Sequence, residues 1–188
     1  MNPWHGAGQE RLQLIDTDSA AAQAPAEPPA PEPFDAFYRR EYPRLRVLAV
    51  ALLGTDGADD VVQETMLVAY RRWEDVRDLE SPAGWVRGVC SHKAVSTLRR
   101  RGVERRALSR LRALPAAEPQ GPGGLEDFWA SVRRLPARQA QVVCLYYALD
   151  LGVAEVASTL GCSEGTVKMH LSRARDGLSR AMGEGDRS

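Results

Sequence analysis

Two short helical patterns on either side of Gly161-Cys162-Ser163 constrain the fold of this chain more than any other segment. Glycine adopts the positive φ that ends many helices, and serine is a common N-cap of the helix that follows. Apolar residues recur along the second pattern at helical spacing, at Val167, Leu171, Ala174 and Leu178. One stripe of that helix therefore faces a core and the opposite face is exposed. We predict a helix-turn-helix.

The outer face of this second helix carries side chains that suit the major groove of DNA. Arginine and lysine pair with guanine acceptors, and methionine contacts a thymine methyl group. The second helix of a helix-turn-helix enters the groove in this way. Ordinary amphipathic surface helices can show the same pattern. The outward residues are Lys168, Met169, Ser172, Arg173 and Asp176.

The net charge of the chain is zero, but its charges are unevenly distributed. Acidic residues outnumber arginines between residues 34 and 82. Between residues 83 and 114 basic residues dominate, and Glu104 is the one acidic residue. A cluster of basic residues favours contact with a nucleic-acid backbone. The sequence therefore predicts an acidic segment followed by a basic one.

Proline and glycine divide the chain into two predicted helical domains. Residues 1–33 form a proline- and alanine-rich tail with too few apolar residues to pack, and we expect it to be disordered. Residues 102–124 lose the apolar period and become rich in proline and glycine, which predicts a flexible linker. No alternating strand pattern occurs in the sequence. We predict an all-α fold of two small domains, residues 34–101 and residues 125–183, the second containing the helix-turn-helix.

Three helices are predicted in the first domain. The first begins at Phe34, the second spans residues 58–73, and the third runs from about Pro82 to Arg101. Aspartates at the start of the second helix favour the positive end of its dipole. We expect Trp85 to face the core, because it falls on the apolar side of the third helix.

The sequence shows no pattern of a membrane span, a disulfide framework, a metal site or a catalytic centre. Its longest apolar run is too short to cross a bilayer, and its start lacks a signal-peptide pattern. Its three cysteines have no paired spacing, and Cys90 with His92 does not make a zinc site. No constellation of catalytic side chains is evident. We expect a cytoplasmic protein that is not an enzyme and uses no cofactor or metal.

Three segments of the chain stand in a specific order. They are an acidic helix at residues 59–73, a basic helix at residues 82–101, and residues 135–139 followed by the helix that opens at Glu164. This order resembles the extracytoplasmic-function (ECF) group of bacterial RNA polymerase sigma factors, which belongs to the sigma-70 family. The resemblance covers residues 34–182.

In that family the acidic helix docks on a coiled coil of the largest polymerase subunit, the basic helix reads the −10 promoter element, and the second domain reads the −35 element. The resemblance therefore implies three sets of site residues. The polymerase-binding set is Asp59, Asp60, Gln63 and Glu64. The −10 set is Arg87, Ser91, His92, Lys93, Ser96, Arg99 and Arg100. The −35 set is Ser163, Glu164, Gly165, Thr166, Lys168, Met169, Ser172 and Arg173.

The family captures a flipped DNA base in a pocket formed by the −10 helix and the loop before it, here residues 73–82. This chain departs from the family pattern on that helix. Ser91, His92 and Ser96 stand where many relatives carry Arg, Asn and Asp. The resemblance therefore does not give the −10 sequence that this chain reads.

The resemblance implies a specificity subunit that binds core RNA polymerase, selects promoter DNA and helps to melt the −10 region. It also implies an anti-sigma protein as a partner. Two alternatives remain from the residues alone. A free-standing helix-turn-helix regulator would bind an operator directly, usually as a dimer. A helical scaffold that contacts only proteins would show no salt-dependent affinity for DNA.

Overall fold

The computed structural model describes residues 32–112 and 124–185, and within these ranges all regular structure is helical. The first range holds four helices: α1 (Phe34–Leu53), α2 (Ala58–Arg71), α3 (Trp73–Val76) and α4 (Pro82–Arg112). The second holds α5 (Leu125–Arg134), α6 (Ala137–Val143), a π-helical turn (Cys144–Ala148), α7 (Val153–Leu160) and α8 (Glu164–Gly185). The predicted all-α fold is confirmed.

Helices α1, α2 and α4 pack side by side and form the first part of the core. The apolar row predicted on the second helix is inside, because Val62, Met66 and Ala69 are all buried. The largest buried apolar side chains of α1 are Phe37, Leu45, Leu48 and Leu52. Gly54 and Gly57 both have positive φ, which lets the chain turn between α1 and α2 without a Cβ penalty.

Helices α5 to α8 form the second part of the core. The π-helical turn directs Cys144 and Leu145 inward, and both are fully buried. Helix α8 packs on α5, α6 and α7 through the stripe predicted from the sequence. The buried residues of that stripe are Val167, Leu171, Ala174 and Leu178.

The two helical groups touch each other. Helix α1 contacts α5 and the π-helical turn, and α4 contacts α7. The described helices from α1 to α8 make up one compact unit, and the buried apolar residues of both groups join in a single cluster. The linker therefore connects two groups of helices that are packed together.

Helix α4 continues well beyond its predicted end. Residues 102–112, which we predicted to belong to a flexible linker, are helical up to Arg112. This stretch is rich in arginine, alanine and leucine, which are strong helix formers, and the cost of Gly102 is only about 1 kcal/mol. The predicted linker is therefore wrong over residues 102–112. The rest of it up to residue 123, and the predicted tail up to residue 31, lie outside the described residues.

Among the described helices, none combines the length and the apolar character that a bilayer span requires.

Candidate nucleic-acid interface

The turn between α7 and α8 has the geometry that the sequence predicted. Gly161 adopts the left-handed conformation, with φ 62° and ψ 45°, at the end of α7. Ser163 caps α8, because its Oγ accepts a hydrogen bond from the Thr166 backbone N–H at 3.2 Å. At the other end of α7 the backbone N–H of Gly152 donates to Glu155 Oε2 at 3.0 Å. These local bonds fix where both helices of the helix-turn-helix begin and end.

The outer face of α8 is open to solvent along its first three turns. Met169 is 40% exposed. Lys168 Nζ lies 3.7 Å from Glu164 Oε2, a spacing of four residues that ties two members of the predicted −35 set together on the surface. Apart from Thr166, which is half-buried, that set is exposed: Ser163, Glu164, Gly165, Lys168, Met169, Ser172 and Arg173.

The first turn of α8 carries backbone N–H groups that can bind an anion. The N–H groups at a helix N-terminus lack partners within the helix and carry the positive end of the helix dipole. Glu164 and Gly165 are exposed at that position. The turn can therefore receive a DNA phosphate between its backbone N–H groups.

Helix α4 exposes only part of the predicted −10 set. His92, Ser96, Arg99 and Arg100 are exposed, and Lys93 is half-buried. Lys93 Nζ lies 2.8 Å from Glu64 Oε2 of α2, so this lysine links the basic helix to the acidic one. The exposed members form a polar and basic face of α4.

Arg87 and Ser91 are not on that face, which corrects the sequence prediction. Arg87 is 7% exposed and Ser91 is fully buried. The guanidinium of Arg87 binds the buried carboxylate of Glu41, with Nη2 at 3.0 Å and Nε at 3.2 Å from Oε2. Helix α4 packs against α1, α2 and α7, so its buried surface is wider than one row of apolar residues. Neither side chain is on the solvent-exposed face of α4 in this structure.

The sequence analysis missed Glu41, although one signal was present. Glu41 lies one turn after Phe37 and one turn before Leu45, within the buried stripe of α1. A carboxylate in such a stripe requires a cationic partner, because burial of an unpaired charge is costly. That partner is Arg87.

The predicted polymerase-binding residues lie together on the exposed side of α2. Asp59, Asp60, Gln63 and Glu64 are all exposed. Asp59 Oδ1 accepts a hydrogen bond from Arg46 Nε at 2.9 Å. The helix therefore presents a row of carboxylate and amide acceptors to solvent.

A cavity of about 560 Å³ lies beside the start of α4. The loop before α4 provides Leu79, Glu80 and Ser81, and α4 provides Trp85 and His92. Trp85, expected in the core, is only half-buried, and its ring lies 5.7 Å from the guanidinium carbon of Arg72. The side chains that surround this cavity can stack on a base and form hydrogen bonds with its edge.

Comparisons with known proteins agree with this geometry. The family model of sigma-70 region 2 matches residues 37–104, and that of sigma-70 region 4 matches residues 125–178. The ECF RNA polymerase sigma factor EcfG of Rhodopseudomonas palustris is 32% identical over 141 residues, which cover 73% of this chain and 78% of EcfG. The ECF RNA polymerase sigma factor SigM of Mycobacterium tuberculosis is 29% identical over 161 residues, which cover 80% of this chain and 77% of SigM.

Two solved structures resemble the model. The sigma factor RpoE from Bartonella quintana, in complex with the anti-sigma factor NepR, has a TM-score of 0.61 and 26% identity, covering 80% of this chain and 96% of RpoE. CnrH, in complex with the cytosolic domain of CnrY, has a TM-score of 0.59 and 22% identity, covering 80% of this chain and 88% of CnrH, and shows the same fold. The helix-turn-helix, the two family models and the relatives lead to one conclusion. The chain belongs to the ECF RNA polymerase sigma factors of the sigma-70 family.

Proposed function

We propose that this sigma factor divides its work among three exposed surfaces: α2 binds core polymerase, α4 reads the −10 element and α8 reads the −35 element. The observation that carries this proposal is the exposure of the polar face of α8 on a capped helix-turn-helix. We assign polymerase binding and −10 recognition to the predicted domain at residues 34–101. We assign −35 recognition to the predicted domain at residues 125–183.

In the proposed −35 complex, α8 enters the major groove. Lys168 and Arg173 pair with guanine acceptors, and Met169 contacts a thymine methyl group. The hydroxyl of Ser172 can form a hydrogen bond with either a donor or an acceptor on a base edge. Ser163 Oγ accepts the Thr166 N–H and holds the first turn in place, so the backbone N–H groups of Glu164 and Gly165 meet a phosphate. Phosphate contacts set the register of the helix, and base contacts set its specificity.

In the proposed −10 complex, Lys93, Arg99 and Arg100 neutralise phosphates, while His92 and Ser96 contact base edges. Flipping a base out of the duplex costs a few kcal/mol, which contacts in a pocket must recover. The cavity beside Trp85 and His92 is the site we assign to that base. Trapping an unstacked base there would favour melting of the −10 region.

Helix α2 would bind arginines of the polymerase. Asp60, Gln63 and Glu64 offer acceptors for charge-assisted hydrogen bonds, which are stronger than neutral ones. Asp59 and Glu64 already hold Arg46 and Lys93 in the free protein. The carboxylates of both pairs are exposed. Ion pairs near the surface contribute at most about 1 kcal/mol, so polymerase arginines can replace them.

A further partner and a cellular location are part of the proposed function. RpoE was solved in complex with the anti-sigma factor NepR, and CnrH in complex with the cytosolic domain of CnrY. We propose that an anti-sigma protein also binds this chain. As a subunit of bacterial polymerase it would work in the cytoplasm, and it would initiate transcription without catalysing a reaction of its own.

Reconstituted run-off transcription tests the proposal. Purified protein is added to bacterial core polymerase with fragmented genomic DNA, and the 5′ ends of the transcripts are sequenced. We expect new transcripts that share paired upstream elements. Direct operator binding without core polymerase, and no new initiation with it, would instead favour a free-standing regulator.

A further inference from the structure

A cavity of about 640 Å³ lies where α5 and the π-helical turn meet α1. Its apolar walls come from these three elements, and they include Val47 and Val50 of α1, Leu125 and Trp129 of α5, and Tyr147 of the π-helical turn. The volume is within the range of about 300–1,000 Å³ that is typical of small-molecule sites. The surfaces proposed for polymerase and promoter DNA lie on α2, α4 and α8, so the residues of this cavity belong to none of them.

The walls of this cavity expose large apolar side chains to solvent. Val47 is 49% exposed, Leu125 is 75% exposed and Tyr147 is 46% exposed. Single exposed apolar residues are common in soluble proteins, but a group of them around one concave surface indicates a binding site. The π-helical turn supports that interpretation, because such turns often occur at functional sites. Two of its residues, Tyr147 and Ala148, line the cavity.

A half-buried arginine also lines the cavity. Arg133 of α5 donates from Nη2 to Glu126, and its Nη1 is buried with no hydrogen-bond partner among the described residues. An unpaired buried N–H group is costly, and a guanidinium binds a carboxylate best through two N–H groups. The side chain of Glu126 is 79% exposed, so a second carboxylate can compete with it for Arg133. This part of the cavity therefore favours an anionic group.

A second arginine lies on the opposite wall, at Arg46 of α1. Its Nε donates to Asp59 of α2 at 2.9 Å, so Nη1 and Nη2 can contact a ligand. Asp59 is not one of the lining residues, and Glu126 is the one acidic side chain among them. Two guanidinium groups and one carboxylate therefore line the cavity, which favours an anionic ligand over a cationic one.

We propose that this cavity binds a small amphipathic monocarboxylate, such as a medium-chain fatty acid. The carboxylate pairs with Arg133 in competition with Glu126, and the hydrocarbon chain lies against Val47, Leu125 and Tyr147. Each methylene group that leaves water for such a surface raises the affinity about fourfold. The proposal does not rest on the assignment of promoter elements to α4 and α8.

Calorimetric titration of the full-length protein with sodium decanoate tests the site. We expect saturable binding of one molecule per chain, with an affinity that falls about fourfold for nonanoate and about fourfold again for octanoate. Decyltrimethylammonium has a chain of similar length and the opposite charge, and it should bind about tenfold more weakly than decanoate. Absence of decanoate binding, or equal affinity for the cationic probe, would overturn the proposal.

Two charge variants locate the carboxylate of the ligand. Arg133→Gln removes the guanidinium and should weaken decanoate binding about tenfold. Arg134→Gln is the matched control, because Arg134 is the next residue of α5, is exposed and does not line the cavity. Glu126→Gln removes the competing carboxylate and should strengthen binding about threefold. Equal decanoate affinities of the Arg133 and Arg134 variants would contradict the predicted position of the carboxylate.

A matched pair of valine variants locates the hydrocarbon chain. Val47→Glu places a negative charge on the apolar wall, so it should reduce decanoate binding more than tenfold, about the cost of a like-charge contact and a lost apolar one. Val103→Glu is the control, because Val103 is 63% exposed on α4 and does not line the cavity. Equal affinities of these two variants would overturn the site. The titrations contain neither polymerase nor DNA, so their outcome is independent of the proposed function.

Discussion

Arg87 of α4 and Glu41 of α1 form an ion pair inside the core. Glu41 is 2% exposed and Arg87 is 7% exposed, and both Nη2 and Nε of the arginine lie within 3.2 Å of Glu41 Oε2. The other carboxylate oxygen, Oε1, lies 3.3 Å from Nε of the more exposed Arg40. The pair joins α1 to α4, so it determines how α4 sits on α1.

Arg87→Ala is expected to destabilise the protein by about 3 kcal/mol, because it leaves a buried carboxylate with one partial partner. The value is at the low end of the range for a broken buried pair, since Arg40 remains. Replacing both residues, with Glu41→Leu and Arg87→Met, should recover most of the loss. Urea unfolding of the wild-type protein and of the two variants measures this. Unchanged stability of Arg87→Ala, combined with weaker DNA binding, would return this arginine to the DNA-binding set.

The elements predicted correctly are those specified by local chemistry. Gly161 and Ser163 determine the turn by their own backbone and side-chain preferences, and the stripe from Val167 to Leu178 has a helical period. These signals act over a few residues, so the sequence alone is sufficient to recognise them. The exposed face of α8 follows directly from them.

The errors lie where distant parts of the chain meet. Arg87 falls next to the exposed row on a helical wheel, and only Glu41, 46 residues away, explains its burial. Trp85 packs against the core as expected, but it also lines the cavity beside α7, a contact that local periodicity does not contain. The burial and contacts of residues at the boundary between packed helices therefore could not be predicted from the sequence and became known only from the structure.

Arg173→Ala should lower −35-dependent transcription about tenfold without changing the affinity for core polymerase. The arginine is exposed on the third turn of α8, where we assign it a base contact worth 1–3 kcal/mol. Arg180→Ala is the control, because this arginine is exposed on the same helix about two turns further on. Promoter-bound and polymerase-bound fractions are measured in parallel. Loss of polymerase binding by Arg173→Ala would contradict its role in reading DNA.

Asp60→Asn should weaken binding to core polymerase about tenfold, because it removes a charge-assisted hydrogen bond to an arginine. Asp60 lies in the first turn of α2 and is exposed. Glu74→Gln removes an exposed charge from neighbouring α3 and should have little effect. Competition with a fluorescent sigma factor for core polymerase gives both affinities. Equal losses for the two variants would indicate a general effect of charge instead of a docking contact.

Gly161→Ala should destabilise the helix-turn-helix by about 1 kcal/mol, because alanine is strained at the φ of 62°. Nothing lies within 4 Å of the added Cβ, so the cost comes from the backbone alone. Gly165→Ala should leave stability unchanged or raise it, since its Cβ makes only an ordinary 3.8 Å contact with Ser163 Oγ. Thermal unfolding compares the two. Equal stability of both variants would argue against the left-handed turn.

Cys90 should make the stability of the protein fall at alkaline pH. Burial raises the pKa of its thiol to about 12, and Sγ lies 3.8 Å from the backbone oxygen of Leu45. The pKa of an exposed thiol in the unfolded chain is about 8.5. The folded state therefore holds a proton that the unfolded state releases. This stabilisation is complete below about pH 8.5 and is lost as the pH rises towards 12.

The expected slope for one such thiol is about 1.4 kcal/mol per pH unit above about pH 9. Cys144 is also buried, and burial raises its pKa in the same direction, so it contributes a second slope of the same sign. Cys90→Ala should remove the contribution of this thiol to the fall in the free energy of unfolding with pH, whatever the substitution does to stability at neutral pH. Urea unfolding between about pH 8.5 and 10.5 measures the slopes. The same slope in the wild-type protein and in Cys90→Ala would contradict the raised pKa of this buried thiol.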